Sequence, residues 1–490
     1  MSNKIATNYL LNLCYNVLII IVPLITTPYI SRTVGAEGIG IYTYCLSFST
    51  YFIVAGTIGI PLYGKRSIAF VKKDQAKLDT LFSELITLQI ILLGLSLTLY
   101  VIFFLIYQKY IYMFMACGLG VIAALFDTSW LYVGLEEFRK IVFRGFIIKI
   151  ISVISIFAFV KSRRDLYIYA LSIMVANLIG NIWMFVDVGK YVHYDRPKLI
   201  SCVKHFKPAL ILLLPNIINT IYSVIDRTLL GVLSSDISEV GYYEQSQKII
   251  TLSLTLVTSL GTILMPRLAS LFSENKTSEI EAYVNKGIRI ISFIALPLSF
   301  GLFAISDSLV PWFFGDGYEK VNVLIRIFSP VIFLLGVSDL IGTQYLIAIK
   351  KEKTLLFINC ATCIVNILLD IILIPFMQSY GAAIATLISE IIKIIACFSA
   401  TKIHIFNNIN YCCKYGMISF FMLIAIEFIY KNYLNASTIL NTIVLVIGGI
   451  FIYFSIMIIT KDTIIQMVVN VFQSKLRNNS CKIRGKRGNE

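Results

Sequence analysis

Charge is scarce in this chain of 490 residues: 14% are Asp, Glu, Lys or Arg, against about 25% in soluble domains. That shortage excludes an ordinary soluble enzyme. Histidine is scarcer still, and His193, His205 and His404 all fall in or beside polar connections. None forms an embedded acid/base pair of the kind a membrane acyltransferase needs. A phosphate-binding loop is also missing. Gly59 to Lys65 reads G-x-x-x-x-G-K, but Arg66 follows where a Ser or Thr is required, and an apolar run of helical length precedes it. Cysteine is present at ten copies, yet Cys14, Cys45, Cys117, Cys360 and Cys397 lie in apolar runs. They read as small buried hydrophobes, not as a disulfide framework. Cys360 and Cys363 form a lone C-x-x-C with no second pair at zinc-finger spacing. No cofactor and no metal is expected, and the chain is read as a non-enzyme.

What is abundant is hydrophobicity, with 58% of residues apolar. A bilayer-spanning helix needs about 20 such residues, and the chain divides into fourteen long runs: 8–31, 40–62, 81–107, 111–133, 141–160, 166–188, 206–230, 240–264, 283–305, 320–348, 354–376, 380–401, 415–434 and 438–460. The expected fold is an all-α polytopic membrane protein of about 14 transmembrane helices, with no room for a separate soluble domain. The first run is too long for the apolar core of a signal peptide and lacks a cleavage pattern, so it is expected to be a retained helix. Turn-forming stretches such as Gly35-Ala36-Glu37-Gly38 and Gly315-Asp316-Gly317 separate neighbouring runs.

Basic residues set the expected orientation. With the N-terminus inside, 30 of the 42 Lys and Arg fall in inner segments and 8 in outer ones; four lie within spans. Both termini are therefore expected in the cytoplasm. The C-terminal Lys475, Arg477, Lys482, Arg484, Lys486 and Arg487 suit an anionic inner leaflet. They lack the aromatic neighbours that stack on bases, so no nucleic acid partner is expected.

An internal repeat is also legible. Ile30-Ser31-Arg32-Thr33 ends the first run and Ile225-Asp226-Arg227-Thr228 the seventh; Gly40-Ile41-Tyr42 opens the second and Gly241-Tyr242-Tyr243 the eighth. Pro61 and Pro266 are expected to close those spans. The pattern predicts a six-helix lobe over 1–200, a second over 201–402, two added helices over 403–460 and a basic tail over 461–490. An even number of spans per lobe makes the repeat parallel, about a pseudo-two-fold axis along the membrane normal, and leaves a cavity between the lobes that can open to either side.

The opening residues resemble a known family. Asn8-Tyr9-Leu10, the segment Pro23-Leu24-Ile25-Thr26-Thr27-Pro28-Tyr29-Ile30-Ser31-Arg32, then Val34-Gly35 and Gly38 to Tyr42 are similar to the Wzx-type bacterial polysaccharide repeat-unit flippases, as are Gly241-Tyr242-Tyr243 and Gln344-Tyr345-Leu346 before Lys350-Lys351-Glu352-Lys353. The resemblance implies a MATE-like exporter superfamily that also holds multidrug extruders and lipid II flippases. It implies translocation of an undecaprenyl-diphosphate-linked oligosaccharide from the inner to the outer leaflet of the bacterial cytoplasmic membrane, for O-antigen or capsule. Membrane lipids, a polysaccharide polymerase and a chain-length regulator are the implied partners. A MATE-type multidrug or cation antiporter is the alternative, and a polymerase or ligase a third reading, disfavoured because no long outer loop is present.

A diphosphate head group needs a wet, cationic path, because a bare charge in hydrocarbon is expensive. Five cations are candidates for lining it: Arg32, Lys149, Arg227, Lys248 and Arg326. Arg32 and Arg227 hold equivalent places at the outer ends of the first helices of the two lobes, where a helix C-terminus also favours a cation. Lys149 lies about eight residues into its span, or roughly 12 Å, too deep for easy snorkelling. Lys248 and Arg326 have a structural alternative, an ion pair with Asp226 or Asp339. Asp127, Asp226 and Asp339 are candidate coupling or ion-pair acids, with Asp370 and Glu427 also embedded. Asp127-Thr128-Ser129-Trp130-Leu131-Tyr132 carries hydroxyls and rings that suit a sugar or, equally, a membrane interface. Glu390 and Lys393, three residues apart, are expected to pair along one helix.

Overall fold

In the computed structural model the backbone is described for residues 2–274, 276–401, 406–434 and 437–466, with side chains from residue 17 onward except 214–216, 219, 259–264, 266, 277 and 406–408. His404 and the cations of the tail from Lys475 onward fall outside the described residues. Among the described residues there is no strand. The helices are α1 (Ser2–Thr57), α2 (Ile60–Val71), α3 (Gln75–Tyr107), α4 (Ile111–Leu125), α5 (Ser129–Gly134), α6 (Phe138–Phe159), α7 (Leu166–Asp187), α8 (Leu199–Val203), α9 (Phe206–Leu233), α10 (Ser238–Ser273), α11 (Thr277–Phe314), α12 (Glu319–Asp339), α13 (Glu352–Met377), α14 (Ser379–Ser399), α15 (Phe406–Tyr433) and α16 (Ile439–Ile459), with a π-helix at Leu340–Leu346.

Each of the fourteen apolar runs falls on helix. Eleven stretches among the described residues are long and apolar enough to cross a bilayer, and the first of them, Val17–Val71, takes in two runs. The chain is a multi-pass membrane protein. Its apolar side chains face outward where a soluble protein would hide them: Ile106 is 78% exposed, Phe376 85% and Phe451 72%. A belt of that kind is stable only against lipid.

Two boundaries differ from expectation. Of the stretch Gly35 to Gly38 only Gly35 leaves helical geometry, at φ 78° and ψ 171°. That conformation is essentially confined to glycine, so α1 bends sharply there and resumes. Pro266 does not close its span, since α10 runs on to Ser273, whereas Pro61 stands in the first turn of α2, where its missing N–H is not needed.

The chain forms two compact units. Unit 1 comprises residues 1–248, 314–324 and 356–389; unit 2 comprises 249–313, 325–355 and 390–490. In unit 1 a core of Ile68, Phe82, Leu85, Trp130, Tyr132 and Met184 joins α2, α3, α5 and α7. In unit 2, Tyr415, Met422, Leu445, Tyr453 and Met457 pack α15 and α16 onto α11. A polar clasp closes that second core at one end. Asp462, just past α16, takes an ion pair from Lys414 at 2.7 Å and lies 3.6 Å from Arg289. Burial alone would push the Asp462 carboxyl up, but Lys414, the Ile464 amide and Arg289 together hold it below the ordinary carboxylate range.

Candidate cationic cavity and buried acid cluster

Unit 1 contains a cavity of about 330 Å³. Four helices build it: α1 contributes Pro23, Thr26, Thr27 and Ile30; α6 contributes Arg144, Lys149 and Ser152; α7 contributes Tyr169 and Asn177; α10 contributes Lys248. Pro23 and Pro28 both stand inside α1. Each withholds a backbone donor and loosens the helix beside the cavity. Hydroxyls tighten it again, with Thr26 donating to the Val22 carbonyl at 2.9 Å and Ser31 to that of Thr27 at 2.8 Å.

Three lining residues are basic and none is acidic. Lys149 is partly buried, and among the described residues no carboxylate pairs with it. Lys248 lies 3.9 Å from Glu244, whose other oxygen is 2.8 Å from Arg227. Two cations therefore share one acid behind the wall. Arg144 is aimed by Asp127 at 3.1 Å and by the Asn181 side-chain oxygen at 3.0 Å, and its buried Nε has no partner. The arrangement leaves a net positive field in a low-dielectric pocket, where an anion is the natural counter-charge.

Of the five cations singled out in the sequence, the structure brings Lys149 and Lys248 together at this cavity and places Arg227 one acid behind it. Arg32 is elsewhere in unit 1, with its chain packed beside Gly315. Arg326 belongs to unit 2, where its ion-pair partner is Asp307 at 2.5 Å, not Asp226 or Asp339, and its guanidinium stands over the Phe303 ring. Arg144 does not stand out in the sequence, because a residue near the end of a span looks like part of a connection. Asp127 serves as its anchor.

Asp226 stands in a second constellation. Its Oδ2 accepts hydrogen bonds from the Tyr243 hydroxyl and, at 3.0 Å, from Thr386. The Asp370 carboxyl adjoins it. Asp370 and Asn366 are fully buried, one turn apart on α13. Asp226 Oδ1, both Asp370 oxygens and both polar atoms of the Asn366 amide are buried with no hydrogen-bond partner. Two adjacent buried carboxylates cannot both stay ionised unless a positive charge lies between them. The cluster therefore suits one proton, or one hard cation bound by oxygen ligands. Asp339, in unit 2, precedes the π-helix and accepts from Gln344 at 3.4 Å.

Two readings are corrected. Trp130 and Tyr132 line no sugar site and no membrane interface. Both are buried, with the indole N–H on Gln89 at 3.0 Å and the Tyr132 hydroxyl on the Met184 carbonyl at 2.7 Å. His205 does meet a buried acid: its Nε2 lies 2.8 Å from Glu84 and its Nδ1 2.9 Å from the Tyr63 hydroxyl. Glu84 lies 121 positions away, and nothing in its local sequence signals that pairing. Glu390 and Lys393 pair as expected, at 3.4 Å.

Comparison with known proteins agrees with this architecture. The sequence signature of the polysaccharide biosynthesis protein family matches residues 5–272, and that of the MatE family matches 212–372. A protein of Escherichia coli (strain K12), provisionally named an O-antigen transporter, is 24% identical over 382 residues, covering 76% of this chain and 90% of that protein. A Haloferax volcanii protein provisionally named a low-salt glycan biosynthesis flippase is 21% identical over 241 residues, 48% of this chain and 50% of that one. Among solved structures, the lipid II flippase MurJ in its inward closed conformation superposes with a TM-score of 0.75 at 16% identity, over 92% of this chain and 100% of that chain. An inward-facing multidrug transporter of the MATE family gives 0.59 at 11% identity, over 81% and 95%.

Proposed function

The chain belongs to the polysaccharide biosynthesis protein family, and we propose that within it the chain is a flippase carrying an undecaprenyl-diphosphate-linked oligosaccharide from the inner to the outer leaflet of the bacterial cytoplasmic membrane, for O-antigen or capsule assembly. One observation carries the reading: a cavity inside a membrane-spanning unit that presents Arg144, Lys149 and Lys248 and no acid. A diphosphate is the dianion such a cavity would stabilise, by the planar donor fork of arginine and the mobile ammonium of lysine. The polyprenyl tail stays in lipid. Residues 1–200 and 201–402 act as the two lobes of an alternating-access exporter, both termini face the cytoplasm as the asymmetry of basic residues indicates, and the polymerase and chain-length regulator receive the product outside.

Asp226, with Asp370 and Asn366, is the coupling site, because it gathers two adjacent buried carboxyls and an amide oxygen, a set that a proton or a cation would neutralise. Neutralising Asp226 or Asp370 should uncouple transport without emptying the cationic cavity of substrate.

The MatE match over 212–372 favours one other reading, an antiporter for cationic drugs. The cavity's charge has the wrong sign for such cargo. Deletion of the protein decides between the two: the flippase reading expects lipid-linked oligosaccharide to accumulate on the inner leaflet, and the antiporter reading expects drug sensitivity with normal surface polysaccharide.

A further inference from the structure

Two glycines that the sequence repeat places at equivalent positions meet in space. A β-carbon built on Gly40 would lie 2.1 Å from the Ile237 carbonyl oxygen, and one on Gly241 would lie 2.0 Å from that of Ala36, both far inside the 3.0 Å that real β-carbons essentially never breach. The two contacts are a single contact repeated. Ile237 stands to Ala36 as Gly241 stands to Gly40, at an offset of 201 residues in each case. Each glycine thus touches the residue four places before its counterpart, the self-complementary pattern that a local two-fold axis generates.

Both strands of the contact belong to unit 1: the part of α1 beyond its kink and the start of α10. Further bonds fasten the same end. The Gln245 side-chain amide donates to the Ser31 hydroxyl at 2.8 Å, and the Tyr318 hydroxyl donates to the Ser31 carbonyl at 3.1 Å. Glu239, buried, pairs with Lys320 and accepts from the Ser379 amide at 3.3 Å. The cavity begins about two turns further along α10, where Lys248 lies seven residues past Gly241, or roughly 10 Å.

We infer that the Gly40–Gly241 crossing is the outer gate of the cationic cavity, shut in this conformation and parted when the substrate leaves. The inference rests on the exporter reading and on the cytoplasmic placement of the termini, which puts this crossing at the outer side. Glycine is required on both helices because closure brings backbone onto backbone. A methyl group at either position penalises the closed state and leaves the parted state untouched, so the population moves toward the outward-open form.

The test places a thiol in the cavity with Ser152→Cys and adds a membrane-impermeant maleimide to intact cells, reading alkylation at position 152 by mass spectrometry so that native cysteines are counted apart. Slow labelling of that parent is expected. Adding Gly40→Ala or Gly241→Ala should speed it roughly tenfold, and the double variant should go little further, because both glycines serve one contact. A second arm keeps both glycines and removes only a fastening bond, Gln245→Ala, with an expected gain of about twofold. Unchanged labelling in the alanine variants present in the membrane, or in Gln245→Ala if those do not accumulate, overturns the gate. Rapid labelling of the parent itself from outside overturns instead the orientation on which the gate rests.

Discussion

Lys149 carries the most weight of any single residue, because it faces the cavity from the middle of α6 and no described carboxylate neutralises it. A charge-assisted hydrogen bond to a substrate phosphate is worth about 1.5–3 kcal/mol, so Lys149→Ala should lower polysaccharide export by roughly 10- to 100-fold, while Lys149→Arg keeps most of it. Surface polysaccharide measured at matched protein levels checks this, and equal export by the two variants would remove the cavity's role. Arg144 depends on its neighbours in a way Lys149 does not. Asp127→Asn removes the carboxylate that aims the guanidinium, and export should fall by about tenfold, the equivalent of one lost charge-assisted bond. These side chains show how far residue types can be read from a sequence. Lys149 and Lys248 stand out as charges in apolar runs. Arg144 does not, because proximity to a span end looks the same whether the side chain points to water or into a cavity. Asp226 is visible as an embedded acid, but its pairing with Asp370 across 144 positions is a property of how α9 and α13 pack.

At the scale of the element, run length and composition were enough to place the long helices, since an apolar run of about 20 residues satisfies its own backbone polar groups in lipid as a helix; the short α2, α5 and α8 were not legible as separate elements. Boundaries were less legible. Two glycines within four residues after the first run suggest a loop, yet Gly35 alone absorbs the bend and the helix resumes. Gly35→Ala should therefore cost about 1–3 kcal/mol of stability, the strain of forcing a side chain into that conformation, seen as a lowered thermal midpoint of the purified protein. Docking of α15 and α16 on α11 depends on the clasp at Asp462. Asp462→Asn leaves Lys414 and Arg289 facing a neutral amide and should destabilise unit 2 by about 3 kcal/mol near neutral pH. The sign with pH follows from the lowered carboxyl pKa: the stabilisation is complete above the unfolded value of about 3.9 and is lost as pH falls through the lower folded value. The gap between parent and variant should thus begin to shrink at about pH 3.9 and close only once the pH has fallen below the lowered folded value; a gap that did not shrink at all on acidification would argue against an ionised Asp462 as the source.

For the whole molecule, scarcity of charge and placement of cations say different things. The scarcity places the chain in a membrane; on the proposed reading, the asymmetry of its basic residues orients it and the few cations left inside the spans line the path of an anion. On that reading the sequence repeat supplies the moving parts, and Gly40 and Gly241, at equivalent places in the repeat, meet within unit 1. Neither the division of the chain into its two compact units nor the reciprocal approach of Gly40 and Gly241 can be read from periodicity, because hydrophobic spacing fixes which face of a helix is buried and not which helix it meets. The measurement that bears most directly on this account is the leaflet distribution of undecaprenyl-diphosphate-linked oligosaccharide in cells that lack the protein and have no redundant exporter. Accumulation on the inner leaflet, reversed by the parent gene and not by Lys149→Ala, is the predicted result; delivery to the outer leaflet at the normal rate in its absence would contradict it.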